Sequence, residues 1–115
     1  MTTTQKAVGF RIQKRTARLV FEETEYDGAE VVVRLDVPVK MYMDIQDLVE
    51  EEKHLQVFTL FGDSVLDSWN LQNNEGMSIP ASSDGMNMIP MDLANIILNM
   101  WVEVSTQPSA PLENS

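Results

Sequence analysis

Few residues in this chain have the types and spacing to do chemistry. Asp44 with Asp47, and Asp63 with Asp67, form two acid pairs at helical spacing, which would put each pair on one helix face. Two carboxylates so placed bind a divalent cation only with further oxygen ligands; without them each pair reads as an exposed acidic face. His54, the single histidine, would serve as an acid or base if a neighbour positioned it. The sequence supplies no such neighbour, and His54 reads as a surface or helix-boundary residue. With no cysteine and one histidine, disulfides, thiolate metal sites and multi-histidine sites are excluded. No serine sits in a nucleophile elbow, and no glycine-rich loop has phosphate-binding spacing. An enzyme is the least favoured class, and no cofactor or metal is expected.

The elements that would carry these residues point instead to packing. The length of 115 residues fits one domain. The fold class expected is α+β, a small single domain with an N-terminal β-hairpin, about three α-helices and disordered termini. Residues 17–25 and 29–37 read as two strands about Asp27-Gly28, a dipeptide suited to positive φ in a tight turn. Pro38 closes the 17–38 hairpin, because proline cannot donate to a ladder. Met41, Ile45, Leu48 and Val49 then share a face of a helix over 41–52, with Glu50, Glu51 and Glu52 toward solvent. Val57, Phe61, Val65 and Trp69 recur every four residues, with Phe58 and Leu66 beside them, and predict a helix over 55–69. Gly62 interrupts it, marking either close helix contact or a kink.

Residues 70–89 read as a connector. Asn73-Asn74-Glu75-Gly76 is turn chemistry, Pro80 forces its predecessor to be extended, and Ser82 or Ser83 could cap a short turn at 83–88. Pro90 suits the first turn of a last helix over 91–104, with Asp92 near its positive end. Leu93, Ile97, Met100, Trp101 and Val104 form its apolar stripe, which must pack against the 55–69 helix or against a partner. After Val104 the segment 105–115 is small, polar and proline-bearing, and is expected to be disordered.

Charge is unevenly spread. Lys6, Arg11, Lys14, Arg15 and Arg18 precede every acidic residue, so with a formal net charge of −10 overall, a +5 segment leaves −15 for the rest. Residues 1–16 are expected to be a flexible basic arm. Nucleic acid is a poor fit as main partner, since the acidic body would oppose it. No apolar run approaches the length of a membrane helix, and the N-terminus lacks the apolar core of a secretion signal. No membrane partner is expected, and a cytoplasmic location is. Eight methionines are many for this length; Met77, Met86, Met88, Met91 and Met100 lie in the final third. Methionine suits surfaces that repack around varied partners, and it also fills gaps in small cores. The two tryptophans pose the same choice between hot spot and core.

Three stretches carry a family resemblance: F-G-D-S-V-L-D-S-W-N-L from Phe61, N-E-G-M-S-I-P-A-S from Asn74, and I-P-M-D-L-A-N-I-I-L-N-M-W-V-E from Ile89. Together with the hairpin and acidic helix before them, over 19–103, they resemble the tail assembly chaperones of long-tailed (siphovirus-type) phages of actinobacteria. The methionine-rich stretch from Met86 to Met91 departs from the leucine-rich version of that pattern. The resemblance implies a non-enzymatic chaperone that binds the tape-measure protein, keeps it soluble and recruits tail-tube protein. It implies action in the host cytoplasm, absence from the mature virion, self-association along the client and, for many such genes, a longer frameshifted product. The expected partner-binding residues are Phe58, Phe61, Trp69, Leu71, Met88, Met91, Ile97 and Trp101, on two tryptophan-bearing helices and the methionines between them. Two alternatives stand beside it: a small structural virion protein of the minor tail or head–tail completion type, and an acidic DNA mimic that inhibits a host protein.

Overall fold

The computed structural model describes residues 8–107. The expected disordered ends lie partly outside this range, at 1–7 and 108–115. The chain runs β1 (Thr16–Val20), β2 (Glu30–Arg34), α1 (Val39–Glu50), α2 (His54–Ser64), β3 (Leu66–Trp69), α3 (Ser83–Met86) and α4 (Met91–Thr106). The three strands form one antiparallel sheet in the order β1-β2-β3. The fold is α+β and begins with a hairpin, as the strand patterns and helical stripes lead one to expect.

Period-2 alternation sets the sheet's inner face. Val31 and Val33 of β2 are fully buried. They pair with Leu19 and Ala17 on one side and with Trp69 and Leu66 on the other. The hairpin, however, is not closed by a tight turn. β1 ends at Val20, and residues 21–29 form a longer loop. Phe21 continues the inward alternation of Ala17 and Leu19 and is buried at 2% exposure, but the pairing with β2 ends at Val20, well before Asp27-Gly28. Thr24 Oγ1 then braces the loop, donating to the Phe21 carbonyl at 2.8 Å and accepting from the Tyr26 amide at 3.0 Å. Gly28 does supply the positive φ, at 100°.

A second correction concerns the 55–69 helix. It stops at Ser64, and Leu66–Trp69 is a strand. The Val65 carbonyl accepts from Arg34 N at 2.8 Å, so the ladder with β2 begins where the helix ends. A register shift pairs Val32 with Ser68 but Val33 with Leu66, leaving Asp67 as the extra residue of a bulge. Leu66 and Trp69, three apart, thereby both reach the packed face while Asp67 and Ser68 stay exposed. That spacing imitates a helical stripe. It also separates Asp63 from Asp67, which lie on α2 and β3 and share no helix face.

Two expected boundaries move slightly. α1 starts at Val39, directly after Pro38 as N-cap, and ends at Glu50. α4 starts at Met91 after Pro90 and continues to Thr106, taking in two residues of the expected tail. Ser82 caps α3, its Oγ accepting from Gly85 N at 3.5 Å. Gly62 resolves as close contact: a Cβ there would lie 2.5 Å from Ser83 N and 2.7 Å from the Ser82 carbonyl carbon. Only glycine lets α3 sit this close on α2.

The core is one cluster joining sheet and helices. Its hub is Trp101, with no exposed surface. The Trp101 indole N–H donates to the Arg34 carbonyl at 3.2 Å. Its ring meets Tyr42 of α1 at 5.2 Å between centroids and Phe61 of α2, edge-on, at 5.4 Å. One side chain on α4 thus ties together β2, α1 and α2, satisfying its polar atom in the process.

Candidate functional site: an apolar cleft rimmed by methionines

The W-N-L motif after the bulge organises the far end of the molecule. Asn70 is a clamp. Its Oδ1 accepts from Glu30 N at 2.8 Å and its Nδ2 donates to the Gly28 carbonyl at 3.1 Å, pinning the 21–29 loop to the end of β3. Trp69 Nε1 donates to the Ile79 carbonyl at 2.7 Å. That bond, with Ile79 N donating to the Leu71 carbonyl at 3.1 Å, folds residues 71–79 into a small hairpin-like projection. Gln72 and Ser78 form its bridge. Gly76 turns it at φ 82°, and Asn73 Oδ1 accepts from the amides of Glu75 and Met77 at 2.9 and 3.0 Å. Gly85 completes the support, since a Cβ there would lie 2.8 Å from Cζ2 of Trp69 and would collide with the Pro80 carbonyl oxygen.

Between this projection and the bend entering α4 lies a cleft of about 320 Å³. Tyr26, Leu71, Ile79, Met88, Ile89 and Leu93 give it an apolar lining, with Asn73 and Asn74 at the lip. A shallower hollow of about 110 Å³, lined by Phe58, Met86, Ile89, Met91 and Ala94 among others, shares Ile89 with it. Ile89 stands between the two. Met88 lines the cleft and Met91 the hollow, and both are more than half exposed. At the cleft wall, Tyr26 Oη donates to Asp92 Oδ1 at 2.8 Å. That bond first, then desolvation and the negative charges of Asp92 and Glu25, pushes the Tyr26 phenol up to about 12. Tyr26 is therefore a neutral hydrogen-bond donor, and Asp92 a carboxylate held at the rim.

The expected partner-binding residues divide sharply. Leu71 and Met88 line the cleft, and Phe58 and Met91 line the adjoining hollow. Trp69 stands behind the cleft, propping its wall. Phe61, Ile97 and Trp101 are fully buried; they pack against the protein's own sheet and helices, leave nothing for a partner to touch, and drop out of the contact set. The idea of two tryptophan-bearing helices is corrected too, since Trp69 is on a strand. Tyr26, Ile79 and Ile89 were missed. Their signal is faint in sequence, because each sits in a loop without periodicity.

The remaining candidates for chemistry do not converge. Asp44 pairs with Lys40 at 3.2 Å, and Asp67 with Lys14 at 2.9 Å; His54 is exposed at the start of α2. Among the described residues, no three His, Cys, Asp or Glu side chains are grouped to hold a metal ion, and no helix is long and apolar enough to cross a membrane. At the opposite end of the molecule, a hollow of about 190 Å³ lies among Val37, Val39, Tyr42 and Trp101. It has no methionine in its lining. Comparison with protein-family models, curated proteins and solved structures finds no match.

Proposed function

We propose that this protein is a non-enzymatic binding module that works as a phage tail assembly chaperone. On this reading the cleft and its adjoining hollow receive the apolar face of a helix from the tape-measure protein, keeping it soluble while tail-tube subunits are recruited. The observation that carries the reading is the apolar cleft and the hollow that share Ile89, the first lined by Leu71 and Met88 and the second by Met91, both methionines being more than half exposed. Helix-in-groove recognition uses such surfaces, and methionine lets one groove fit successive turns of a long client. The sequence resemblance over 19–103 supplies the client's identity. A high net negative charge suits many copies crowded on one client. Action in the host cytoplasm belongs to the same proposal.

The test is co-expression with a tape-measure segment. The segment is expected to become soluble and to co-elute with the chain on size exclusion. Met88→Asp, a surface change expected to alter stability by no more than about 0.5 kcal/mol, should abolish co-elution while the chain stays folded. A segment that remains insoluble beside well-folded wild-type protein contradicts the proposal.

A further inference from the structure

We infer that the segment around Phe10 docks into the cleft between Leu71 and Met88 of a second copy of this chain. Val8, Phe10 and Ile12 are 89%, 81% and 84% exposed. They alternate with Gly9 and Arg11, so in an extended chain the three share one face over about 13 Å. Such a row of bare apolar side chains is the pattern of a strand whose partner lies elsewhere. The segment precedes β1, and among the described residues no backbone hydrogen bond joins 8–14 to the rest of the fold.

Charge says which surface it fits. The segment and its continuation carry Arg11, Lys14 and Arg15; Lys14 already pairs with Asp67 of its own sheet, which leaves Arg11 and Arg15 to meet a neighbour. From His54 to the end of the chain there is no lysine or arginine. The cleft falls in that cation-free half, and Glu25, Asp27, Glu75 and Asp92 flank its lining residues in sequence. An apolar row edged with cations thus meets an apolar cleft edged with acids. Pairing two segments with each other would instead set Arg11, Lys14, Arg15 and Arg18 of both copies side by side, which like charges oppose. Docking within one chain is disfavoured by direction. Thr16 pairs with Arg34 and Val20 with Glu30, so the chain enters β1 at the end of the sheet away from Tyr26, and a second copy's cleft can be met without reversing the chain. The contact is head-to-tail, which generates rings or open filaments rather than closed dimers. It rests on the proposed reading only in taking the cleft as a docking groove. A client helix and a neighbour's segment would then compete for one wall.

Because the chain has no cysteine, site-specific cross-linking is clean. Gly9→Cys leaves Phe10 in place, and a side chain at Gly9 meets nothing within 4 Å. Asn74→Cys marks the cleft lip. Equal amounts of the two full-length variants, mixed at low salt with a short bismaleimide, should give the mixed dimer in several-fold excess over either homodimer. Adding Phe10→Asp to the first variant, or raising salt to shorten the Debye length to about 3 Å, should remove most of that product. A dominant Gly9→Cys homodimer overturns the inference. So does a mixed yield no greater than with Met43→Cys, exposed on α1, or a dilution-independent internal product in the double variant. No client is present in this experiment, so its failure leaves the chaperone reading standing, and a failed co-expression leaves this contact standing.

Discussion

Trp101 and Trp69 do the same local job in two regions with different consequences. Each donates its indole N–H to a backbone carbonyl, Arg34 for one and Ile79 for the other. Trp101 is packed by Tyr42, Phe61 and the sheet, which leave its ring no exposed surface, although a hollow of about 190 Å³ opens beside it. Around Trp69 one side is filled and the other ends in the wall of an open cleft. The first region uses its aromatic to finish a core, and the second uses it to brace a surface. Aromatic identity alone therefore does not mark a contact residue; what stands beyond the ring does.

The largest expected effect breaks the first region. Trp101→Ala should cost about 3–5 kcal/mol, read by urea denaturation, and in a domain this small much of the population should unfold. Gly85→Ala comes next and strikes the second region. The new methyl would meet the Pro80 carbonyl and Trp69, where backbone cannot yield, and about 1–3 kcal/mol should be lost, together with the proposed client binding. Trp69→Phe removes the bond to Ile79, worth about 1 kcal/mol, and trims the ring edge that packs at Gly85. It should loosen the 71–79 projection, so faster amide exchange at Ile79 than at Val33 is the expected signature.

The smallest effect is electrostatic. The Tyr26 phenol is held up to about 12 by Asp92, against an ordinary value of about 10. The neutral form is favoured in the folded state, so this contribution is complete below about pH 10 and fades as pH rises toward 12. Ultraviolet titration should show Tyr26 titrating late, and Asp92→Asn should bring it down toward the ordinary value. A Tyr26 that titrates near 10 in the wild type would deny the hydrogen bond that ties the 21–29 loop to α4.

Much of this architecture is legible in the residues. The β-branched run through Val31 and Val33, the stripe of α4 and the glycine turn at Gly76 all follow from local pattern, which also narrows the α3 cap to Ser82 or Ser83. The failures have a common physical cause, which is long-range pairing overriding local period. Val57, Phe61, Val65 and Trp69 keep a spacing of four across an element boundary, because a bulge at Asp67 restores the inward direction of Trp69. No local signal distinguishes that from a helix; the pairing partner, β2, lies more than thirty residues away. The cleft was half visible. Its methionines stand out by composition, whereas Tyr26, Ile79 and Ile89 gain meaning only once Asn70 and Trp69 fold two loops toward each other. The stripe residues Phe61, Ile97 and Trp101 were drawn into the contact set because a core stripe and a docking stripe share one sequence pattern.

On the proposed reading a partner touches the cleft at Met88 and the hollow at Met91, and not the tryptophan stripe. Methionine-methyl NMR tests it most directly, with the full chain titrated by an amphipathic tape-measure segment. The account predicts shifts at Met88 and Met91, with Met77 following, while Met43, half exposed on α1, stays in place. A spectrum in which Met43 moves and Met88 does not, or in which no methionine responds, would contradict it.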